Sequence, residues 1–288
     1  MKRPDLGALG PVVSELLDVL RTRPDGLVPF QAIQRQLKLS HMIDRGIQEV
    51  PLSAITGSIN RTQDFDRAFL PRNESLHPGL RRIRELAESE GFPPVELYRV
   101  GNAYFVVDGH HRISVARTMD AGTIEARVRE FPSKVDIGPD DSLESILAKA
   151  GAHNFQQATG LDASPFGEFQ LSSPVGWDRL LKHIAVHQYY LGVMHDRAHE
   201  WPEAVDSWLT TVYRPIVQVI RDKGLLADFP QRTETDLYLW IIHRLHYLRR
   251  EYGDDGLGPE VALPKTSWWR RWWRQGKSAL ARRDASTR

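Results

Sequence analysis

Cysteine is absent from this chain of 288 residues. Disulfide bonds, thiolate zinc sites and a cysteine nucleophile are therefore excluded. Long apolar runs are absent too, since none approaches the ~18 residues that a membrane-spanning helix needs. Asp5, Glu15 and Asp18 interrupt any apolar stretch in the first 26 residues, which do not resemble a secretory signal. We therefore expect a cytoplasmic location.

The two common glycine-rich nucleotide motifs are missing as well. The chain contains neither GxxxxGK[ST] nor GxGxxG, which excludes a Walker P-loop and a Rossmann dinucleotide fingerprint. Its 41% hydrophobic and 26% charged residues are typical of a globular protein with a sizeable core. The length suggests roughly two domains.

The net charge is only +1, but it is unevenly distributed. The last 24 residues carry eight lysines or arginines and one acid, a net charge of +7, so the first 264 residues sum to −6. A mildly acidic body argues against one broad nucleic-acid-binding surface, although a local basic groove stays compatible with it. The tail contains Trp-Trp-Arg-Arg-Trp-Trp-Arg at 268–274. Contact with a membrane surface, stacking on single-stranded nucleic acid, and docking of a helix on the protein itself are all open for it.

Hydrophobic periodicity divides the chain into four parts and predicts an α+β fold class. Residues 1–47 are predicted as N-terminal helices and residues 48–135 as a small mixed-sheet domain. A mainly α-helical domain is predicted at residues 136–262, and the basic, tryptophan-rich tail occupies residues 263–288. Contact of this tail with a membrane surface is one of the open alternatives, so the expected location is the cytoplasm, either free or at the periphery of a membrane.

One hairpin and two following elements define the predicted sheet domain. Strands at Val95–Val100 and Ala103–Val107 are joined by Gly101-Asn102, two residues that accept positive φ in a tight turn. The second strand is apolar on both faces, which predicts a central position in the sheet. A helix at His110–Asp120 and a strand at Ile124–Phe131 follow, the strand with clean alternation of apolar and charged residues.

Further elements are predicted on both sides of this core. A helix starting near Pro29 is predicted to contain Ile33 and Leu37 and to reach as far as Ile47. Asp141 is predicted to cap a helix, and a short β segment is predicted around Phe166–Leu171. The remaining predicted helices lie around Val12–Leu20, Leu80–Leu86, Trp177–Leu191, Trp201–Asp222 and Thr233–Tyr252, the last one capped by Thr233 and Asp236.

The segment most informative about function is Asp108-Gly109-His110-His111-Arg112, between a buried strand and a helix start. Unpaired amides and a positive dipole at a helix N-terminus suit a phosphate, and Gly109 lets the backbone approach a ligand closely. Arg112 can bind phosphate oxygens bidentately, and the two histidines add ring donors. Asp108 can hold a metal ion or orient a histidine. The opposing interpretation is an ordinary turn whose solvated basic residues begin a helix.

Together with Ile113-Ser114-Val115-Ala116, this segment resembles the strand-to-helix signature of the ParB/sulfiredoxin superfamily. The resemblance covers residues 49–131, under a third of the chain. It implies a nucleotide whose phosphates lie at this turn. Three further segments carry the resemblance. Val50-Pro51-Leu52-Ser53-Ala54-Ile55 matches the opening strand of that fold, and Asp64-Phe65-Asp66 lies where chromosome-partitioning members have a Phe-Asp in their first conserved sequence box. Pro94-Val95-Glu96-Leu97 matches the strand that begins the hairpin.

The branches of that superfamily differ in their chemistry. Partitioning proteins bind and hydrolyse CTP and clamp DNA, whereas sulfiredoxins use ATP and a cysteine to repair an oxidised thiol. Free-serine kinases have the same Asp-Gly-His-His-Arg sequence and transfer phosphate to a small hydroxyl. Sulfiredoxin activity is excluded because the chain has no cysteine. No helix-turn-helix pattern follows Phe131, which disfavours a DNA clamp. A kinase would need a general base, for which the candidates are Glu49, Asp64, Asp66 and Glu96.

The region Asp141–Tyr252 resembles the uncharacterised helical domain that follows such modules in bacteria, a resemblance that implies no activity.

Six of the eleven histidines lie between His183 and His246. The pairs His183/His187 and His195/His199 have the i, i+4 spacing that can place two imidazoles on one helix face for a metal. Without a HExxH arrangement, structural or surface histidines are the favoured interpretation.

These observations favour a nucleotide-binding protein that acts as a nucleotide-dependent switch, a phosphotransfer protein or an NTP-hydrolysing enzyme. Asp108 and His111 are the predicted catalytic residues, and Asp108 is the predicted ligand of Mg²⁺, which would accompany ATP, ADP or CTP. A DNA-associated regulator of the partitioning type and a scaffold with a vestigial pocket are the alternatives. The predicted phosphate ligands are Gly109, His110, His111, Arg112 and, from the polar loop, Arg61.

Overall fold

A computed structural model describes residues 26–72 and 91–252 of the protein, with side chains up to residue 246. The chain divides into two compact units, Met1–Ala204 and Val205–Arg288. The helices predicted around Val12–Leu20 and Leu80–Leu86 and the tryptophan-rich tail lie outside the described residues.

A six-stranded mixed sheet forms the centre of the first unit, in the order β1-β3-β5-β4-β6-β2. The pairs β1–β3, β3–β5 and β4–β6 are parallel, whereas β4–β5 and β2–β6 are antiparallel. With the helices that follow it, this sheet confirms the predicted α+β fold class. The strands are β1 (Val28–Pro29), β2 (Ile43–Pro51), β3 (Ile55–Ser58), β4 (Val95–Val100), β5 (Ala103–Asp108) and β6 (Thr123–Glu130).

The three long helices predicted after residue 176 are present in the second half of the chain. One of them contains a π-helical turn, Leu209–Tyr213, and short 3₁₀ turns lie at Leu52–Ala54 and Leu225–Asp228. None of the described helices is both long and apolar enough to cross a bilayer. The α-helices of the described residues are α1 (Phe30–Gln36), α2 (His110–Thr118), α3 (Leu143–Thr159), α4 (Val175–His195), α5 (Trp201–Trp208), α6 (Arg214–Asp222) and α7 (Glu234–Tyr252).

The sheet buries both of its faces, which explains the apolar character of β5. Phe105 and Val106 are both fully buried and belong to two different core clusters, because successive side chains of a strand point to opposite faces. The prediction that this strand is central is therefore confirmed. Ile113 and Ala116 of α2 pack into the Val106 cluster, while the Phe105 cluster contains residues of α1 and α3.

The helix predicted from Pro29 is shorter than expected, and its extension to Ile47 is wrong. Helix α1 ends at Gln36 and Lys38 adopts a left-handed φ of 53°, which stops the helix. Ile47 lies in β2, paired with Arg127 of β6, and is half exposed. Its apparent helical spacing from Ile33 and Leu37 is therefore coincidental, and strand β2 starts at Ile43.

Two details of the helical region also differ from expectation. The cap of α3 is Ser142, whose hydroxyl accepts a hydrogen bond from the Ser145 amide at 3.1 Å. Asp141 instead accepts bonds from the Gly138 amide and the Lys149 ammonium. The segment around Phe166–Leu171 forms turns rather than a strand, closed by the Gln170 amide on the Pro165 carbonyl.

Candidate functional site

The turn from β5 into α2 requires glycine for two independent reasons. Gly109 caps α2 with a φ of 102°, a left-handed conformation that side chains disfavour. A Cβ atom there would lie 2.5 Å from Val95 Cγ1 and 2.8 Å from Val95 Cβ. The first amides of a helix have no acceptor inside the helix, and no side chain caps this one. The turn thus presents amides at the positive end of the helix dipole.

Arg112 is held within the protein by three hydrogen bonds. Its Nη1 donates to the carbonyl oxygens of Pro93 (2.9 Å) and Pro94 (2.8 Å), and its Nη2 donates to Asp108 Oδ2 at 2.5 Å. The Asp108 carboxylate remains 70% exposed within this ion pair. Arg112 therefore fixes the turn against the segment before β4, and a phosphate would have to compete with these bonds for its guanidinium.

His110 points into the protein rather than outward. The residue is 5% exposed, its Nε2 lies 2.7 Å from Ser58 Oγ, and its ring stacks on Phe65 at 5.7 Å between centroids. Burial, assisted by the positive charge of Arg61, lowers the pKa of His110 from 6.5 to about 4. The ring is therefore neutral at physiological pH, and it ties the turn to the end of β3.

His111 and Arg61 meet at the mouth of the turn. Arg61 Nη1 lies 3.0 Å from His111 Nε2. Because a guanidinium can only donate, Nε2 must accept, and the proton of the neutral ring then resides on Nδ1. That Nδ1 is buried and has no hydrogen-bond partner within the described part of the chain. Burial and then Arg61 lower the pKa of His111.

Arg61 places a positive charge beside both histidines. After burial, this charge is the largest cause that lowers the pKa of each ring. Asp64 offsets it only in part, since its Oδ2 lies 3.9 Å from Arg61 Nε and its side chain is 48% exposed. An anion that approached Arg61 from solvent would neutralise its guanidinium.

Residues 108–112 lie at one turn and Arg61 contacts it from the loop after β3, but these residues have unequal roles. Arg61 and His111 face each other, whereas His110 and Arg112 bond to protein groups. Sequence reasoning missed Ser58, the buried hydrogen-bond partner of His110. The signal for it was its position at the end of β3, because β3 and β5 are parallel and their carboxyl ends share one sheet edge.

The four candidate general bases are dispersed. Asp64 contacts Arg61 of the site, as described above. Asp66 accepts the Leu70 amide at 2.8 Å and so closes a local turn, and Glu96 lies 3.8 Å from Arg129 on β6. Glu49 belongs to β2, the edge strand of the sheet. Asp64 is therefore the candidate that the structure associates with the turn.

Metal-ligating side chains are sparse in the described residues. No group of three or more histidine, cysteine, aspartate or glutamate side chains that could hold a metal occurs among them. His195 Nδ1 lies 3.0 Å from His199 Nε2, and His199 Nδ1 lies 3.1 Å from Glu203, so these side chains bond to one another. Asp108 would act as a single carboxylate ligand, which suits Mg²⁺ only when phosphate oxygens complete its shell.

Comparison with known proteins adds little to this geometry. No protein-family model matches the chain, and no curated protein matches it either. Among solved structures, the chain is similar to one described as the C2221 form of a Pnob8-like ParB-N domain, with 10% sequence identity and a TM-score of 0.21. The alignment covers 82% of this chain and 98% of that one. A TM-score this low carries no argument about ligand or activity.

Proposed function

We propose that the protein binds a nucleotide through its phosphates at the Gly109 turn and acts as a nucleotide-dependent switch or phosphotransfer protein. The observation that carries the proposal is the Arg61–His111 pair, in which a guanidinium and an imidazole face each other at 3.0 Å beside a helix N-terminus. The positive charge of Arg61 and the unpaired amides after Gly109 support it. A phosphate oxygen would supply the negative charge and the acceptor that these groups lack.

Each residue then has a distinct task. Arg61 and His111 contact the phosphate, and the amides after Gly109 contribute the helix N-terminus. Arg112 orients the turn and positions the Asp108 carboxylate, which is the residue that would hold Mg²⁺ together with the phosphate oxygens. His110 anchors the turn to the end of β3 through its buried contact with Ser58.

The same residues define what a transfer or hydrolysis step would use. Mg²⁺ at Asp108 would neutralise phosphate charge. Asp64, next to Arg61, is the carboxylate placed to accept a proton from an attacking hydroxyl or water. Binding is the primary proposal, and turnover is the second step that the same site would support.

Calorimetric titration with ATP, ADP, CTP and GTP, each with and without Mg²⁺, tests binding directly. We expect at least one nucleotide to bind, and we expect Arg61→Gln and His111→Phe to weaken it at least tenfold. Arg45→Gln is the matched control, because it removes one arginine from edge strand β2, where its Nε donates to Glu130. Equal weakening by the control variant, or no binding of any nucleotide, would contradict the proposal.

A second measurement reads the site without relying on affinity. Bound phosphate favours the charged imidazole, so the pKa of His111, followed by NMR, is expected to rise when the nucleotide binds. Release of phosphate from a bound triphosphate, abolished by Asp108→Ala, would show turnover. Duplex DNA binding with a steep salt dependence and no response to nucleotides would instead support the DNA-associated alternative.

A further inference from the structure

Helix α4 carries a second apolar face that no described residue covers. One face is buried in the first unit through Leu180, Leu181 and Ile184. On the other face, five large apolar side chains are 54–75% exposed at spacings of three and four residues, so they form one continuous stripe. This α4 stripe consists of Val186, Tyr189, Tyr190, Val193 and Met194.

The α4 stripe is large for a surface that remains in water. With ~150–250 Å² for each aromatic side chain and less for each aliphatic one, its five members present on the order of 500 Å² of apolar area. Patches of ~300–600 Å² are the largest that a typical monomer shows, and they are often functional. The stripe alone would supply more than half of the ~800 Å² per partner that a standard interface buries.

The charges at the two ends of the stripe are opposite. Toward the N-terminus of α4, the exposed residues Arg179 and Lys182 continue the same helix face. Just beyond the C-terminus, Asp196, Glu200 and Glu203 are exposed together with one basic residue, Arg197, which pairs with Glu203 at 3.3 Å, so this end is acidic on balance. A surface with an apolar centre, a basic end and an acidic end is complementary to itself when it is turned by 180°.

We propose that the protein forms a two-fold symmetric dimer in which α4 of one copy packs antiparallel on α4 of a second copy, centred on Tyr190. In this register the basic end of each helix lies over the acidic end of its partner, and the dipoles of the two helices are antiparallel. The tyrosines are the expected anchors, because aromatic residues near the centre of an interface carry most of the binding energy.

A cleft of about 700 Å³ beside the stripe gives the partner's side chains room to enter. Tyr189 and Val193 belong both to the stripe and to the cleft lining, and Gly192 lies between them without a side chain. The stripe therefore borders an open depression that leaves room beside it for the side chains of a partner.

Sedimentation velocity over a range of protein concentrations tests the dimer. We expect wild-type protein to dimerise and Tyr190→Asp to raise the dissociation constant at least tenfold with an unchanged far-UV spectrum. Phe166→Asp is the matched control, because Phe166 is 96% exposed but lies outside the stripe. A monomeric wild type, or a dimer that Tyr190→Asp leaves intact, would overturn the proposal.

Cysteine crosslinking tests the register, since the chain contains no cysteine of its own. An antiparallel pair centred on Tyr190 places position 186 of one copy opposite position 194 of the other. An oxidised mixture of Val186→Cys and Met194→Cys proteins should form disulfide-linked dimers, whereas each variant alone and Phe166→Cys should form few. Equal crosslinking in all samples would contradict this register.

A lipid surface is the rival occupant of the stripe. Flotation with vesicles of phosphatidylcholine and phosphatidylserine separates the two. Binding to vesicles by a monomeric wild-type protein, lost in Tyr190→Asp and retained in Phe166→Asp, would overturn the dimer. Dimerisation without flotation supports it.

Discussion

Gly109 allows a direct test of the backbone at the candidate site. We expect Gly109→Ala to destabilise the protein by about 1–3 kcal/mol, because a methyl group would collide with Val95 in addition to straining a left-handed residue. Gly46→Ala is the matched control, since Gly46 also has a positive φ, 71°, but no atom lies within 4 Å of its added Cβ. Urea unfolding measures both, and equal losses would show that the contact with Val95 does not matter.

The buried neutral His110 makes stability depend on pH. Its pKa is about 4 in the folded protein and 6.5 in the unfolded chain, so the unfolded chain binds the proton more readily between these values. This residue therefore costs stability as pH falls from about 6.5 toward 4, by up to about 3 kcal/mol. We expect His110→Gln to unfold with a flatter pH dependence than wild type across that range. An unchanged slope from pH 7 to pH 4 would contradict this assignment.

Residue types and their order predicted the members of the turn but not the direction in which each side chain points. Gly109, His110, His111 and Arg112 all lie at one helix start, as their spacing required. The carbonyls of Pro93 and Pro94 and the hydroxyl of Ser58 decide which of them faces inward, and those groups are 18–52 residues away in sequence. Such partners depend on the sheet topology, which no local pattern contains.

Among the elements, α3 offers the clearest test of a local cap. Ser142 accepts the Ser145 amide, so Ser142→Ala should cost about 1 kcal/mol of stability, measured by urea unfolding. Ser142→Asp retains an acceptor at the cap and should remain near wild type. A loss of the same size in both variants would show that the hydroxyl acts in some other way.

Elements defined by strong local signals matched the structure, and those defined by weak ones did not. The Gly101-Asn102 hairpin and the alternating β6 strand agree within one residue of their predicted ends. The single helix predicted at Trp201–Asp222 contains a π-helical turn just before Pro215. Proline lacks an amide hydrogen and crowds the preceding turn, and a locally wider helix relieves that conflict.

At the level of the whole molecule, the helical region begins as part of the sheet's own core. Leu143, Ile146 and Leu147 of α3 belong to the same core cluster as Phe30 and Phe131. The first compact unit accordingly extends to Ala204. The sequence analysis placed a boundary between residues 135 and 136, and the core cluster includes residues on both sides of it because the second face of the sheet needs a helix to cover it.

Nucleotide binding and self-association should be independent properties of the molecule, because the Gly109 turn and the α4 stripe share no residue. A dimer that unfolds to monomers has a melting temperature that rises with protein concentration. We expect that rise in wild type and in Arg61→Gln, and its loss in Tyr190→Asp. Conversely, the nucleotide-induced increase in melting temperature should persist in Tyr190→Asp and be reduced in Arg61→Gln. If one substitution removed both effects, the two surfaces would be energetically coupled, and phosphate binding would depend on the partner copy.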